Sequence, residues 1–225
     1  MDIKELQTTL GYKFKNDALL EVALTHRSFI NEGDAAEHNE RLEFLGDAIL
    51  ELAVTEHLYK NYSEPEGVLT NWRSAVVKTD SLSRVGEELE LNKCLKLGRG
   101  EANGTKRARK QILANTVEAI IGAIYLDGGF KSAKNFVDSF ITVGLPQIIK
   151  TGAWQDAKTK LQEMVQEKEG ITPTYEVISE SGPDHDKTFI MGVYVGKELR
   201  GKGRGASKQI AQQAAASNAL EKLEN

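Results

Sequence analysis

Apolar residues recur at three- and four-residue spacing through the first 150 positions and shift to alternate spacing only late in the chain. The first rhythm predicts amphipathic helices at Leu19-Leu20 with Val22-Ala23-Leu24, then over Leu42 to Tyr59, Asn71 to Leu89, Gln111 to Tyr125 and Ser132 to Val143. Glycine-containing breaks at Glu66-Gly67, Gly98-Arg99-Gly100, Gly104 and Asp127-Gly128-Gly129 separate them. After Thr151-Gly152 a helix from about Asp156 to Lys168 precedes Tyr175-Glu176-Val177-Ile178 and then Thr188 to Val195, where Phe189, Met191, Val193 and Val195 alternate in strand period. Gly196-Lys197 makes a hairpin turn into Glu198-Leu199-Arg200. A last helix from Ser207 to Leu223 carries Ile210, Ala211, Ala214, Ala215 and Ala219 on one face, small enough for close approach to a sheet. The expected architecture is an all-α domain over 1–150, a linker at 151–155 and a small α+β domain, ordered α-β-β-β-α, over 156–225.

The run Asn39-Glu40-Arg41-Leu42-Glu43-Phe44-Leu45-Gly46-Asp47 holds the strongest chemical signal. At about 100° per residue, Glu40, Glu43 and Asp47 fall within roughly 60° of one another, with Leu42, Leu45, Ile49 and Leu52 expected on the opposite face. Three like charges on neighbouring turns repel, so such a stripe is either solvated surface or a cation site. A second stretch, Gln111 to Tyr125, is apolar almost all round and predicts a buried central helix, yet it carries Asn115 and Glu118 three residues apart. A buried carboxylate costs several kcal/mol unless it is paired, protonated or metal-bound. Arg73 is a candidate salt-bridge partner for Glu118; the alternative is a site shared with Glu43 and Asp47. An oxygen-only set of Glu43, Asp47, Asn115 and Glu118 selects hard cations such as Mg²⁺ or Mn²⁺ over Zn²⁺, and His26, His38, His57 and His185 lack zinc-motif spacing. Such a cation engages phosphate, which points to phosphodiester hydrolysis.

Composition narrows the picture. A net charge of -4 makes no whole-chain case for nucleic acid, but two basic clusters stand out: Lys106, Arg107, Arg109 and Lys110, and then Lys197, Arg200, Lys202, Arg204 and Lys208. Cys94 is the single cysteine and leaves no intrachain disulfide to form, and the Met-Asp-Ile-Lys start has no apolar segment behind a basic one. A reducing cytoplasm is the expected location, with no membrane partner, because no apolar stretch reaches spanning length. No small-molecule substrate is expected.

On these residues the chain resembles the bacterial ribonuclease III family. The matching pieces are Leu24-Thr25-His26-Arg27-Ser28, the Asn39 to Asp47 block, Glu66-Gly67-x-Leu69-Thr70-x-x-Arg73 and Ile112-Leu113-Ala114-x-x-x-Glu118-Ala119. The second half resembles a double-stranded-RNA-binding domain through Lys160-Leu161-Gln162-Glu163, Pro173-x-Tyr175, Gly182-Pro183-Asp184-His185, Phe189 and Gly203-x-Gly205-x-Ser207-Lys208. The resemblance implies a metal site of Glu43, Asp47, Asn115 and Glu118, with Asp47 and Glu118 catalytic and Glu40 and Glu66 as supporting acids. It also implies a homodimer in which Phe44 inserts into the partner subunit, and Mg²⁺ as cofactor with Mn²⁺ as substitute. The implied activity is cleavage of both strands of double-stranded RNA to 5′-phosphate and 3′-hydroxyl ends, in ribosomal RNA precursor and mRNA processing. Gln162, Glu163 and His185 would meet minor grooves, and Ser207 and Lys208 would meet phosphates at the positive end of the last helix.

Two positions depart from the family pattern. Asn115 stands where Asp is usual, which removes one unit of negative charge and makes a catalytically weak RNA-binding regulator the alternative. Gln209 stands where a further basic residue is common, so phosphate contact rests more on Lys208.

Overall fold

The computed structural model describes residues 2–30, 37–152, 154–183 and 187–224. These fall into two compact units, Met1–Trp154 and Gln155–Asn225. The first contains α1 (Ile3–Leu10), α2 (Asp17–Ala23), α3 (Arg27–Ile30), α4 (Glu40–Asn61), α5 (Glu66–Val77), α6 (Thr79–Glu88), α7 (Arg99–Ala102), α8 (Lys106–Phe140) and α9 (Leu145–Thr151). The second contains α10 (Ala157–Glu169), β1 (Thr174–Ser181), β2 (Thr188–Val195), β3 (Glu198–Gly205) and α11 (Lys208–Glu224).

Two long helices, α4 and α8, form the centre of the first unit. They meet backbone to backbone: a Cβ added at Gly46 would overlap the Glu118 carbonyl oxygen, and one added at Gly122 would overlap the carbonyl of Leu42. Around this crossing α4 buries Leu42, Ile49, Leu50, Ala53, Val54 and Leu58, and α8 buries Leu113, Val117, Ile120, Ile121 and Ile124. The buried face of α4 differs from the expected one. Leu52 is 53 % exposed, whereas Leu50, Val54 and Leu58 are buried and lie seven or eleven residues after Glu43 or Asp47, on the same side of the helix as the acids. The acidic column thus begins on a face that becomes core two turns later.

Two helix boundaries differ from the periodicity. The expected helix from Asn71 to Leu89 is two helices, because Lys78 takes an extended conformation (φ -63°, ψ 153°) and its carbonyl starts α6 by accepting from Ser81 and Leu82. Glu66-Gly67, expected as a break, opens α5 behind Pro65. The break expected at Asp127-Gly128-Gly129 is present as a kink in α8, where Gly129 leaves helical geometry at φ 75° and ψ 177°. Asp127 there binds the chain after α1: its carboxylate accepts from the Tyr12 hydroxyl at 2.7 Å and from the Lys15 and Asn16 amides at 2.9 and 3.0 Å. Burial and Asp127 push the Tyr12 hydroxyl up to about 12. The segment 151–155, expected as linker, includes the last residue of α9 and Trp154, whose ring meets Trp72 edge-on at 6.2 Å.

In the second unit the three strands form one antiparallel sheet in the order β1-β2-β3, with Val195 paired to Glu198 across the turn at Gly196 (φ 58°). Met191, Val193 and Val195 point into a core with Leu161 and Val165 of α10 and Ala211, Ala215, Ala216 and Ala219 of α11. Added Cβ atoms at Gly201 and Gly203 would overlap the α11 backbone, so this helix rests directly on β3. Ile210, expected on the packed face, is 55 % exposed, because the alanine column alone fits that close approach.

Gly46→Ala forces a methyl group onto a backbone oxygen that no rotamer change can move, and is expected to cost about 3 kcal/mol or more. Calorimetry should show the helical unit melting roughly 6–12 °C lower. Gly67→Ala, with nothing within 4 Å of the added Cβ, should hold or raise that transition.

Candidate functional site

The N-terminus of α4 is held from below. Asn39 is 1 % exposed, its amide nitrogen donates to the Thr25 carbonyl at 2.9 Å, and its side-chain Nδ2 donates to the Ala23 carbonyl at 3.3 Å. Thr25 in turn forms a parallel bridge with Lys96. These bonds set the register from which Glu40, Glu43 and Asp47 project.

The α4–α8 crossing then brings Glu118 to Glu43 and Asp47. Burial first, then Asp47, then Glu43 raise the Glu118 carboxyl from its ordinary 4.5 to about 7. Glu43 is also raised, chiefly by burial and further by Glu40 and Asp47, against the lowering effects of Asn115 and the charge of Arg27. Asn115 lies between Glu43 and Gln111, whose Nε2 donates to Asn115 Oδ1 at 2.7 Å. Arg73, the candidate partner for Glu118, is engaged elsewhere: its Nε is 2.9 Å from Glu51 and its Nη1 is 2.9 Å from Thr55 Oγ1. Among the described residues no ion pair reaches Glu43, Asp47 or Glu118. Glu40 faces outward and pairs with Arg27 at 3.2 Å. Glu66 is exposed at the start of α5. Among the described residues no three His, Cys, Asp or Glu side chains converge closely enough to hold an ion as they stand. Like charges in a partly dry site stand apart when nothing positive lies between them.

Phe44 projects from α4 with 82 % of its surface exposed. Beside it opens a cavity of about 780 Å³ lined by Leu19, Val22, Leu42, Leu45 and Leu126 and rimmed by Glu37, Glu40 and Arg41.

In the second unit Gln162 and Glu163 are exposed on α10, and Glu163 accepts from Gln155 at 3.0 Å. Ser207 caps α11 by accepting from the Ile210 amide at 3.2 Å, and Lys208 follows with Nζ 5.8 Å from the Phe189 ring centroid. His185 lies outside the described residues. The basic clusters are partly spent within the fold: Arg109 donates to Asn92, Lys110 pairs with Asp80, and Arg200 pairs with Glu169 and Glu198. Lys106, Arg107, Lys202 and Arg204 remain exposed. Sequence reading missed Gln111, Asn39 and Phe189 as supports of the site residues. The one available signal was spacing, since Gln111 precedes Asn115 by one helical turn.

Residues 16–145 match the Ribonuclease-III-like family, and residues 157–223 match the double-stranded RNA binding motif. The chain belongs to the ribonuclease III family. Ribonuclease 3 of Bdellovibrio bacteriovorus is 45% identical over 97% of this chain and 94% of its own length. Ribonuclease 3 of Natranaerobius thermophilus is 46% identical over 99% and 96%. The solved nuclease domain of ribonuclease III from Campylobacter jejuni covers 64% of this chain and 99% of its own, at 39% identity and a TM-score of 0.59.

Ribonuclease III enzymes are metal-dependent, and the residues present here fit a hard cation. Glu43, Asp47 and half-buried Glu118 are brought to the α4–α8 crossing beside Asn115, all four offer oxygen, and among the described residues no ion pair neutralises Glu118. In metal-free protein this has a signed consequence. Below about pH 4.5 Glu118 is protonated folded or unfolded; between 4.5 and about 7 only the folded chain keeps the proton; so stability falls as pH rises through that window. The expected loss by pH 8 is about 1 to 2 kcal/mol after solvent screening of this partly open site. Urea unfolding in chelator at pH 5 and pH 8 should show this slope in the native chain, and Glu118→Gln should flatten it.

Proposed function

We propose that this ribonuclease III hydrolyses phosphodiester bonds in both strands of double-stranded RNA, with Glu43, Asp47, Asn115 and Glu118 holding Mg²⁺, or Mn²⁺ in its place. The observation that carries the reading is the uncompensated Glu118 carboxylate facing Glu43 and Asp47, on a chain that also carries a double-stranded RNA binding motif. A bound divalent cation supplies Lewis-acid polarisation of a phosphoryl oxygen and lowers the pKa of bound water. Glu118 holds from the buried side, Glu43 from the flank and Asp47 from the solvent edge, with Asn115 beside them. Releasing its proton near pH 7 readies Glu118 to bind a cation at neutral pH, and Arg27 holds Glu40 on the outer side. The products are 5′-phosphate and 3′-hydroxyl ends, and structured ribosomal and messenger RNA precursors in the cytoplasm are the substrates.

The second unit grips the duplex. Gln162 and Glu163 present hydrogen-bonding groups for minor-groove 2′-hydroxyls, and Lys208 at the start of α11 meets phosphate. Cutting both strands calls for two sites, and the surface around Phe44 supports a two-fold homodimer. An exposed aromatic ring and an apolar cavity sit in one patch, so two copies related by a dyad exchange ring for cavity.

Incubated with a long duplex RNA in Mg²⁺ or Mn²⁺, the native chain should cut, and Glu118→Ala should lose about 10³-fold or more in rate, several kcal/mol of transition-state stabilisation. Binding without cutting in either metal would leave only an RNA-binding protein. With metal withheld, Lys208→Ala should weaken duplex binding and reduce the salt slope by about one. Phe44→Asp should shift the sedimenting species from dimer to monomer; an unchanged dimer would refute the proposed interface.

A further inference from the structure

The cavity beside Phe44 takes its walls from three helices: Leu19 and Val22 on α2, Leu42 and Leu45 on α4, and Leu126 on α8. Each pair of walls is tied by its own contact. The glycine crossing fixes α4 against α8. Asn39, through the Thr25 and Ala23 carbonyls, fixes the C-terminal end of α2 against the start of α4. The N-terminal end of α2 is tied to α8 by Asp127, the residue after Leu126. Its carboxylate gathers three donors from the segment that leads into α2: the Tyr12 hydroxyl at 2.7 Å and the Lys15 and Asn16 amides at 2.9 and 3.0 Å. Lys15 Nζ adds a bond to the Asp127 carbonyl at 3.2 Å, and Asn16 caps α2 by accepting from the Ala18 amide at 3.2 Å. On α8 an added Cβ at Gly128 would overlap the Tyr12 hydroxyl, so the glycine leaves the room in which that hydroxyl reaches Asp127. With both ends held, α2 turns Leu20, Ala23 and Leu24 into the core and leaves Leu19 and Val22, one turn apart, partly buried at the cavity.

We propose that Tyr12 and Asp127 are positioning residues for self-association: their hydrogen bond sets the width of the cavity that receives the partner subunit's Phe44. The inference rests on the Phe44 interface proposed above and adds the residues that shape its socket. Both act through the helices that carry Leu19, Val22 and Leu126. A hydrogen bond to a charged acceptor is stronger than a neutral one, and a cavity already held in shape spares association the cost of ordering it. Losing the hydroxyl keeps the apolar walls but lets them shift, and a ring in a loosened socket forfeits close contacts.

Sedimentation of the full chain over a dilution series reads the dimer dissociation constant. Tyr12→Phe should raise it about tenfold, and Phe44→Ala should raise it further. The double variant should dissociate no more readily than Phe44→Ala, because a socket without its ring gains nothing from a fixed width. Asp127→Asn, which strips the charge from all three bonds, should weaken the dimer as Tyr12→Phe does. If either variant, folded by circular dichroism, keeps the native dissociation constant, or if the effects of Tyr12→Phe and Phe44→Ala add in full, the bond serves only the stability of each subunit and the inference falls. Phe44→Ala separates the two readings. A dimer unchanged by it overturns the interface together with this inference. A dimer weakened by Phe44→Ala but insensitive to Tyr12→Phe overturns the inference alone.

Discussion

The backbone contact between α4 and α8 is the constraint on which the rest of the helical unit depends. Gly46 lies on the Glu118 carbonyl and Gly122 on the Leu42 carbonyl, so the helices pass in opposite directions at a separation only glycine permits. Each mid-helix glycine costs about 1 kcal/mol relative to alanine in intrinsic propensity, and the surrounding core of Leu50, Ala53, Val54, Val117, Ile120 and Ile121 offsets it. The register of that contact also sets the chemistry. Glu43 and Asp47 flank Gly46 on α4, and the residue whose carbonyl Gly46 touches is Glu118 itself. A shift of one residue along either helix would carry the acids out of reach of one another.

The same closeness dries the site. Glu118 is held partly away from water and beside two other acids, which is why its carboxyl titrates near 7 instead of near 4.5. Among the described residues no ion pair meets Glu43, Asp47 or Glu118, while Glu40 and Glu51 nearby are paired. Arg27 goes to Glu40, and Arg73 goes to Glu51 and Thr55. Cations are therefore present on the surrounding helices but paired away from Glu118. A structural salt bridge at Glu118 would have stabilised the fold and closed the site.

Most elements were legible from period and breakers, because β2, the long helices and the alanine face of α11 each carry one strong rhythm. What failed had local causes. Lys78 interrupts a continuous helical pattern through its own extended backbone, and Leu52 and Ile210 have apolar side chains on faces that the crossing geometry leaves outside. The acids of α4 were expected opposite the apolar face, yet Leu50 and Val54 continue their column into the core. Helical angles alone cannot show that a face is wet at one end and buried at the other. Of the site residues, Glu43, Asp47 and Glu118 carry their own signal as charges on apolar helices. Gln111 carries none, since a glutamine on an exposed turn is ordinary until its partner is placed.

Asn115 is best understood through the cost of the empty site. Four carboxylates held together without a cation repel one another in a partly dry cleft, and each added charge raises the pKa of its neighbours and the energy of the metal-free fold. An amide in one position removes a repulsive charge, and Asn115 lowers the pKa of Glu43, the acid that burial raises. Ionised Glu43 is the form a cation binds, so the amide favours the binding-competent state at neutral pH. On the proposed metal site, the exchange would give up one anionic ligand for better preparation of another. A hard cation that keeps several waters tolerates that exchange, because a site built from three carboxylates and an amide still leaves positions for water and a phosphate oxygen. The departure from Asp is therefore compatible with hydrolysis, and it changes how the metal-free chain holds its charge more than what the loaded site can do.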